Sequence, residues 1–324
     1  MKKLYIFSIL LFLISTLLPF VKKGVVYTTP LVIGMSVNQK DFFIETTLRS
    51  EFIEEDPIIF AYDKEAMNSD IPDVTASSAL VVDASTKRVL YAKNEKEKLP
   101  VASLAKMMTA IVAVEHFPLD KKIRVSERAT RIGENTMGLV EGEKFVLKDL
   151  LYGLILNSGN DAAYAISEAI AVSEEDFVEF MNRKAKLLWA NNTVFADSSG
   201  LNKESKEFYS TAEDMAKIAL YSQEKHSELK EIYKTTIKEL PATDEYGYKY
   251  LENQTNLLTT YPGVQGMKTG YTEDSGLCLV SYAENDGKKI LVVVLNSIDR
   301  KGDAIILLDY GFDRLGVTIE HNLL

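Results

Sequence analysis

Three short motifs, placed in a fixed order along the chain, constrain its fold more than any other feature. They are Ser103-Leu104-Ala105-Lys106, Ser158-Gly159-Asn160 and Lys268-Thr269-Gly270. Each motif alone recurs by chance and has an ordinary interpretation as a helix cap, a turn or a strand end. The ordered set is much harder to obtain by accident, and each member supplies a group that acyl transfer through a serine needs. The sequence therefore predicts a fold that brings three distant segments to one cleft.

The first motif predicts a nucleophile and its base. A serine hydroxyl is a weak nucleophile at neutral pH and needs a base within hydrogen-bond reach. Residues 100–110 are typical of a loop that leads into a helix, and positions i and i+3 share a helix face. We therefore expect the Lys106 amine to reach the Ser103 hydroxyl. We also expect Ser103 to stand at the helix N-terminus, where backbone N–H groups and the helix dipole favour negative charge.

The other motif residues complete a division of labour. A lysine becomes a base only when burial or a nearby positive charge lowers its pKa. We expect a neutral Lys106 to take the Ser103 proton, with Lys268 as the second, charged amine that orients a substrate carboxylate. Ser158 is expected to bridge the two lysines and to relay a proton to the leaving amine. Asn160 is expected to hydrogen-bond the substrate amide.

Composition excludes several function classes. The 324 residues are 46% hydrophobic, which is enough for a sizeable core in one large domain or two small ones. The formal net charge of −10 argues against nucleic acid as a partner and against electrostatic adhesion to anionic lipid. The single cysteine, Cys278, permits no intrachain disulfide, and its apolar surroundings in the sequence indicate a small buried hydrophobe.

The histidines favour neither of two rival hydrolase mechanisms. A Ser-His-Asp enzyme needs a histidine beside its serine, and a zinc peptidase needs closely spaced histidine ligands. His116, His226 and His321 are far apart in the sequence and stand in no recognisable motif. We therefore expect catalysis with no metal and no cofactor.

The first 23 residues indicate export or membrane anchoring. Met1-Lys2-Lys3 precedes an uncharged, mostly apolar stretch at residues 4–21, and Lys22-Lys23 follows it. This stretch is longer than a usual signal core, is close to the minimum for a membrane span and has no clear small-x-small cleavage site after it. We favour an uncleaved anchor over a cleaved signal peptide. Either one predicts an extracytoplasmic protein, anchored to the cell membrane or secreted to the cell wall or periplasm.

The remainder divides into an extension and a main domain. Residues 24–73 are rich in acidic side chains and are expected to form an extension or tether without chemistry of its own. The main domain is expected at residues 74–324, with mixed α and β patterns. Strand patterns occur at residues 78–83, 89–92, 277–282 and 290–295, with hairpin turns at 84–87 and at Asn285-Asp286-Gly287. Helical periodicity occurs at residues 106–115, 147–156, 162–172, 174–190, 211–221 and about 302–310.

These patterns predict an α+β fold. Strands come from both ends of the main domain, and the helical block lies between them in sequence. We therefore expect an antiparallel sheet built from both chain ends, flanked by helices, with the helical block inserted between its two halves. The second motif is expected in a loop between two helices.

From about Thr75 to its end, the chain resembles the serine-type D-alanyl-D-alanine carboxypeptidases. These are the low-molecular-mass penicillin-binding proteins of peptidase family S11, which share the three motifs with the class A β-lactamases. The resemblance extends beyond the motifs to the surrounding segments at residues 91–94, 99–103, 106–110, 154–162, 195–201, 211–216 and 263–270. It implies a β-lactamase/transpeptidase-like fold, that of a penicilloyl-serine transferase.

The resemblance also implies a substrate and a reaction. The substrate would be a peptidoglycan stem peptide that ends in D-Ala-D-Ala, with β-lactam antibiotics as covalent inhibitors. Ser103 would attack the penultimate carbonyl, release the last D-alanine and pass the acyl group to water. The backbone N–H groups of Ser103 and Tyr271 would form the oxyanion hole, where preorganised donors typically matter by about 10²–10³ in rate. Substrate binding would involve Lys268, Thr269, Gly270 and Arg300, the last of these at the terminal carboxylate.

Three departures from the family pattern affect these expectations. Some members have a β-rich second domain and an amphipathic C-terminal membrane helix, whereas this chain stops at Leu324. We therefore expect membrane contact through the N-terminal segment only. Trp189 stands where the family often has glycine, which we interpret as a packing change. No dedicated deacylating glutamate of the class A β-lactamase kind is identifiable, which favours slow release of penicillin.

Two alternatives remain beside the carboxypeptidase. A β-lactamase would use the same serine nucleophile but would deacylate quickly. A non-catalytic wall-binding protein would keep the fold without the reaction, although the intact motif residues argue against it.

Overall fold

The structure is a computed structural model that describes residues 56–62, 71–202 and 206–323. The predicted anchor at residues 1–23 and most of the acidic extension lie outside these residues, so both remain predictions. One described part of the extension contacts the main domain, because the Tyr62 hydroxyl donates a hydrogen bond to Glu95 over 3.2 Å. Within the described ranges, no helix combines the length and apolar character that crossing a bilayer requires.

The strands form one large sheet and two small two-stranded sheets. Their bounds are β1 (Ala61–Tyr62), β2 (Ser78–Asp83), β3 (Arg88–Lys93), β4 (Lys122–Arg124), β5 (Lys144–Val146), β6 (Ile237–Leu240), β7 (Lys249–Glu252), β8 (Val264–Thr272), β9 (Gly276–Asn285) and β10 (Lys288–Ser297). The large sheet has the order β1-β3-β2-β10-β9-β8, and β4-β5 and β6-β7 pair separately. Every pairing in the large sheet is antiparallel except β1 with β3. The early strand β2 lies against the late strand β10, so the predicted sheet from both chain ends is confirmed.

The turn between β9 and β10 forms as the sequence predicts. Asn285 pairs with Lys288, which leaves Asp286 and Gly287 as a two-residue turn. Both residues have positive φ, 48° and 71°. A two-residue hairpin turn of this kind needs left-handed backbone at both central positions, and Asp-Gly tolerates it at low cost.

All six predicted helices form, with somewhat different ends, and three shorter helices that were not predicted accompany them. Their bounds are α1 (Lys106–His116), α2 (Glu127–Thr130), α3 (Leu147–Ile155), α4 (Asn160–Ile170), α5 (Glu174–Leu187), α6 (Ala212–Lys225), α7 (Ser227–Lys234), α8 (Leu257–Thr260) and α9 (Arg300–Arg314). The helices that were not predicted are α2, α7 and α8. Capping explains two differences from the predicted ends. Thr211 lies outside α6 as its N-cap and accepts from the backbone N–H of Asp214. Asp299 caps α9 in the same way, so that helix begins at Arg300, earlier than predicted.

Helices cover the large sheet and create the main core. α9 packs on β2, β9 and β10, and α6 also contacts β2 and β10. Buried aliphatic side chains such as Val81, Val292 and Leu308 fill the interface with α9. Gly311 permits the close approach, because a Cβ at this position would lie 2.9 Å from a methyl group of Val81. In the helical block, α1 is buried against α3, α4, α5 and α6, which makes it a rigid support for the first motif.

Trp189 occupies a backbone conformation that explains the family's glycine. Its φ is 58°, in the left-handed region that glycine adopts most readily. The indole is 45% exposed just after the end of α5. This conformation is compatible with glycine at the position, and the expected packing change stays a prediction.

Candidate active site

Ser103 lies in a single 3-10 turn, and the α-helix starts after it. The 3-10 helix spans Ala102–Ala105, and α1 begins at Lys106. We expected Ser103 at the N-terminus of an α-helix. It lies instead in the 3-10 turn that directly precedes this helix. In a 3-10 helix, side chains at i and i+3 eclipse each other, which favours contact between residues 103 and 106. The Lys106 Nζ lies 2.9 Å from the Ser103 Oγ.

The Lys106 ammonium joins three separate segments of the chain. Besides the Ser103 Oγ, its Nζ donates to the Asn160 Oδ1 over 2.8 Å and to the Ser199 carbonyl over 2.6 Å. A lysine ammonium has three donors, so these three acceptors satisfy it completely. The first motif, the second motif and the loop at residue 199 thus meet at one nitrogen.

Burial gives Lys106 the pKa of a physiological base. Its side chain is fully buried, and desolvation lowers the pKa of Lys106 from 10.5 to about 7. The carboxylates of Asp197, Asp161 and Glu134 act in the opposite direction and limit the fall. Burial and a nearby positive charge were the two expected causes of a lowered pKa, and burial is the largest cause here.

The loop after residue 196 presents the Ser199 carbonyl to Lys106. The Asp197 carboxylate accepts hydrogen bonds from the backbone N–H groups of Ser199, Gly200 and Asn202 over 2.7, 2.6 and 2.6 Å. These bonds wrap the loop around one carboxylate and fix the direction of its carbonyl groups. Residues 195–201 carry part of the family resemblance, but no role was predicted for them. The available signal was the turn-forming run Asp197-Ser198-Ser199-Gly200.

Gly200 brings this loop against the turn that carries the nucleophile. Its φ is 78°, and a Cβ at this position would lie 2.0 Å from the Ala102 carbonyl oxygen. Only glycine permits this approach, because both the backbone conformation and the space exclude a side chain.

Ser158 is buried without a hydrogen bond for its hydroxyl. It is 1% exposed, and its φ of 55° lies in the left-handed region. The Ser158 Oγ has no hydrogen-bond partner among the described residues. The expected bridge from Ser158 to Lys106 and Lys268 is therefore not formed in this arrangement, and the relay role remains a prediction. A buried hydroxyl without a partner is uncommon and is often found at catalytic positions.

Asn160 is the first residue of α4 and is held from two sides. Its Oδ1 accepts from Lys106, and its Nδ2 donates to the Gly133 carbonyl over 3.1 Å. The adjacent Asp161 fixes the same loop by accepting from the backbone N–H groups of Met137 and Leu139. These bonds orient the Asn160 amide at the edge of the cleft.

The third motif lies on β8, at the edge of the large sheet, and packs against the nucleophile's turn. A Cβ on Gly270 would lie 3.1 Å from the Ser103 backbone nitrogen and 3.0 Å from the Val101 carbonyl oxygen. Gly270 therefore allows this contact between strand and turn. Tyr271 is the next residue, so the two predicted oxyanion-hole N–H groups belong to segments in contact. The Tyr271 side chain itself is 60% exposed.

Lys268 is buried beside other positive charges. It is 1% exposed, and its Nζ donates to the carbonyl of the neighbouring Thr269 over 2.9 Å. Burial first, and then the charges of Lys106 and Arg300, hold the pKa of Lys268 well below its usual range. We expected Lys268 to be charged. In this environment the ammonium form needs a nearby anion, such as a substrate carboxylate, to stabilise it.

Arg300 reaches the third motif from the start of α9. Its Nη1 donates to the Gly270 carbonyl over 2.8 Å, and the guanidinium is half-buried. Arg300, Lys268 and Thr269 thus lie at one end of the cleft, where they offer a cationic and hydroxyl-bearing surface. This arrangement suits a small carboxylate.

A cavity of about 550 Å³ lies next to Asn160 and Ser199, both of which bond to Lys106. Its lining includes Asn160, Tyr164, Glu174, Phe195, Asp197 and Ser199. Glu174 accepts a hydrogen bond from the Ser198 hydroxyl over 2.8 Å, and burial raises the pKa of this carboxyl group. The sequence analysis did not identify Glu174, since a lone glutamate in the first turn of a helix is ordinary.

The histidines make their contacts elsewhere. His116 stacks on Phe180, while His226 and His321 pair with Glu115 and Asp309. None of these partners belongs to the three motifs. In the described part of the chain, no group of three or more His, Cys, Asp or Glu residues is arranged to hold a metal ion.

Comparisons with known proteins agree with this geometry. Residues 65–299 match the family described as D-alanyl-D-alanine carboxypeptidase, peptidase family S11. The chain is 36% identical over 249 residues to D-alanyl-D-alanine carboxypeptidase DacF of Bacillus subtilis, a match that covers 74% of this chain and 62% of DacF. It is 29% identical to D-alanyl-D-alanine carboxypeptidase DacB2 of Mycobacterium tuberculosis, over 75% of this chain and 84% of DacB2. The chain thus spans less than two-thirds of DacF and most of DacB2.

Solved structures confirm the predicted α+β fold class. The crystal structure of the Streptomyces K15 DD-transpeptidase superposes with a TM-score of 0.71 at 29% identity, over 75% of this chain and 99% of that one.

Proposed function

The chain belongs to the D-alanyl-D-alanine carboxypeptidase family, peptidase family S11, and on this basis we propose that it removes the terminal D-alanine from peptidoglycan stem peptides. The reaction is a hydrolysis that passes through an acyl-enzyme on Ser103. The observation that carries the proposal is the fully buried Lys106 amine, 2.9 Å from the Ser103 hydroxyl. A buried amine with a pKa of about 7 is an effective base at neutral pH.

Acylation begins with proton transfer from Ser103 to neutral Lys106. The Ser103 Oγ forms a bond to the penultimate carbonyl carbon, and the carbonyl oxygen gains the negative charge. The backbone N–H groups of Ser103 and Tyr271 donate to this oxygen. Ser158 then donates its proton to the nitrogen of the last D-alanine and receives the proton that Lys106 took from Ser103, and the C–N bond breaks. Lys106 is then neutral again and takes a proton from the water that attacks the ester. This proton passes to the Ser103 Oγ as the ester C–O bond breaks, and the shortened peptide leaves with a carboxylate.

The two ends of the cleft give the substrate its direction. The terminal carboxylate lies near Lys268, Thr269 and Arg300, where its charge raises the pKa of Lys268 and restores the ammonium form. Asn160 hydrogen-bonds the amide on the acyl side, and the rest of the stem peptide leads towards the 550 Å³ cavity. Cleavage of the last residue follows from this placement, since the carboxylate must lie one residue beyond the scissile bond.

β-Lactam antibiotics would acylate Ser103 and inhibit the enzyme. In the described residues, no carboxylate hydrogen-bonds to Ser103 or Lys106, since the partners of Lys106 are two side-chain oxygens and one backbone carbonyl. This favours slow deacylation and a carboxypeptidase over a β-lactamase. The hydrogen bonds that join Lys106 to Ser103 and Asn160 also favour catalysis over wall binding alone.

Members of this family act on peptidoglycan outside the cytoplasm. We propose the same location for this chain, with residues 1–23 as an anchor in the cell membrane or as an export signal. The substrate partner is then the cell wall, and the net charge of −10 argues against nucleic acid as a partner.

Two measurements test the proposal. Fluorescent penicillin should label the protein once, and mass spectrometry of the labelled peptide should locate the label on Ser103. A stem peptide ending in D-Ala-D-Ala should release one equivalent of D-alanine. Ser103→Ala should abolish both signals, whereas Ser85→Ala, at an exposed serine, should change neither. Labelling at another residue, or D-alanine release by the Ser103→Ala variant, would refute the assignment, and rapid penicillin turnover would favour the β-lactamase.

A further inference from the structure

The small β6-β7 hairpin carries an unusual outward surface. Its strands pair Ile237 with Glu252 and Glu239 with Tyr250, and all four of these side chains are exposed. Tyr248 joins the same surface, because its hydroxyl donates to the Glu239 Oε2 over 2.9 Å. We call these five residues the outer hairpin face.

Large apolar groups on this face are open to solvent. Ile237, Tyr248 and Tyr250 are 47%, 55% and 48% exposed, whereas Leu240 and Leu251 fill the buried side of the hairpin. When one face of an antiparallel hairpin packs on the core, the opposite face normally carries polar side chains. Clustered exposed aromatic rings instead mark a surface that a partner covers.

The hairpin is held rigidly and adjoins the catalytic cleft. The backbone N–H of Glu252 donates to the Asn157 Oδ1 over 3.0 Å, and the Gln254 Nε2 donates to the Asn157 carbonyl over 3.1 Å. Asn157 directly precedes Ser158. At the other end of the hairpin, the Glu245 carbonyl accepts from the Lys144 backbone. The hairpin is therefore bonded directly to the segment that carries the second motif.

The chemistry of the face suits a carbohydrate. The faces of the two phenol rings are electron-rich and apolar, so they can cover the C–H face of a sugar ring. The carboxylates of Glu239 and Glu252 can accept short hydrogen bonds from sugar hydroxyl groups. The Tyr248–Glu239 hydrogen bond also fixes one ring before any ligand arrives, which reduces the entropy that binding must overcome.

Other partners fit the face less well. It contains two carboxylates and no cationic side chain, so anionic lipid and nucleic acid would be repelled. A stable protein–protein interface usually involves roughly 20–30 residues from each partner, which is many more than the five residues of this face. A narrow neutral polymer is the partner that matches its size and charge.

We propose that the outer hairpin face binds the glycan strand of peptidoglycan while a stem peptide on the same strand occupies the cleft. This inference rests on the proposed function, because a D,D-carboxypeptidase meets its peptide attached to a glycan. When the substrate is polymeric peptidoglycan, glycan binding would raise the effective concentration of its stem peptides near Ser103. The cleavage of free peptides would not change.

The test compares polymer binding with cleavage of a small substrate. The probe is an uncharged, peptide-free glycan, a β-1,4-linked N-acetylglucosamine oligosaccharide, immobilised on a sensor surface. The double variant Tyr248→Ala/Tyr250→Ala should bind about tenfold more weakly than the wild type, as expected for two lost ring contacts. Its kcat/KM for a soluble D-Ala-D-Ala peptide should not change. Trp189→Ala, which removes an exposed aromatic side chain elsewhere, should affect neither quantity.

The outcomes separate this inference from the proposed function. If the wild type does not bind peptide-free glycan, or if the double variant binds it equally well, the inference is wrong, even when soluble peptide is cleaved normally. If the soluble peptide is not cleaved by the wild type, the proposed function fails instead. Should the double variant unfold, Glu239→Gln/Glu252→Gln gives a second test. This variant keeps the rings and should bind glycan several-fold more weakly, and unchanged binding would count against the inference.

Discussion

Acylation of Ser103 by a penicillin should rise with pH through a single titration centred near pH 7. Burial lowers the pKa of Lys106 to about 7, and only the neutral amine can accept the Ser103 proton. Such a base is about one-tenth neutral at pH 6 and about nine-tenths neutral at pH 8, so the acylation rate constant should increase about tenfold and then level off. With its ordinary pKa of 10.5, Lys106 would instead give a roughly hundredfold rise without a plateau.

The assay is stopped-flow acylation by a fluorescent penicillin across this pH interval, with thermal unfolding measured on each variant. Lys106→Ala removes the base and should slow acylation by about 10²–10⁴. Glu134→Gln provides a finer perturbation. The Glu134 carboxylate raises the pKa of Lys106 and is exposed, so its removal should move the midpoint to lower pH while the plateau rate is kept.

Two results would refute the reasoning. One is a wild-type acylation rate that does not change between pH 6 and pH 8. The other is a folded Lys106→Ala variant that acylates as fast as the wild type. Either would show that the Ser103 proton goes to a group other than Lys106.

Three further substitutions test the geometry of the cleft. Ser158→Ala should slow peptide acylation by about 10²–10⁴ and leave the Tm nearly unchanged, because the buried hydroxyl has no hydrogen bond to lose; an unaltered acylation rate would remove Ser158 from the mechanism. Gly200→Ala should lower the Tm and the penicillin acylation rate together, since its Cβ would lie 2.0 Å from the Ala102 carbonyl oxygen; normal values for both would contradict the close approach. Arg300→Ala should reduce kcat/KM for a D-Ala-D-Ala peptide by about 10–100-fold, the size of a lost charge-assisted hydrogen bond. The same variant should have much less effect on a peptide whose terminal carboxylate is amidated, and equal losses on both substrates would mean that Arg300 does not bind the carboxylate.

Local patterns in the sequence predict the parts of the fold that depend on near neighbours. The spacing of Ser103 and Lys106 fixes their contact in any right-handed helical turn, whether 3-10 or α. Asp286-Gly287 predicts its hairpin because the turn requires two left-handed residues. Apolar periodicity predicts the long helices and the strands β2, β9 and β10. The small two-stranded sheets β4-β5 and β6-β7 were not predicted, because strands of three or four residues with charged members carry little periodic signal.

The protonation state of Lys106 and the contacts around it depend on the tertiary structure. The pKa of Lys106 depends on complete burial under helices from elsewhere in the chain, and no local pattern encodes that burial. The Ser199 carbonyl and the contact between Gly200 and Ala102 also join segments that are distant in sequence. The sequence alone determined which side chains are available for acyl transfer, since their types and order are covalent facts. Only folding decided which atoms meet and which amine loses its proton, because distance and desolvation arise when remote segments pack together.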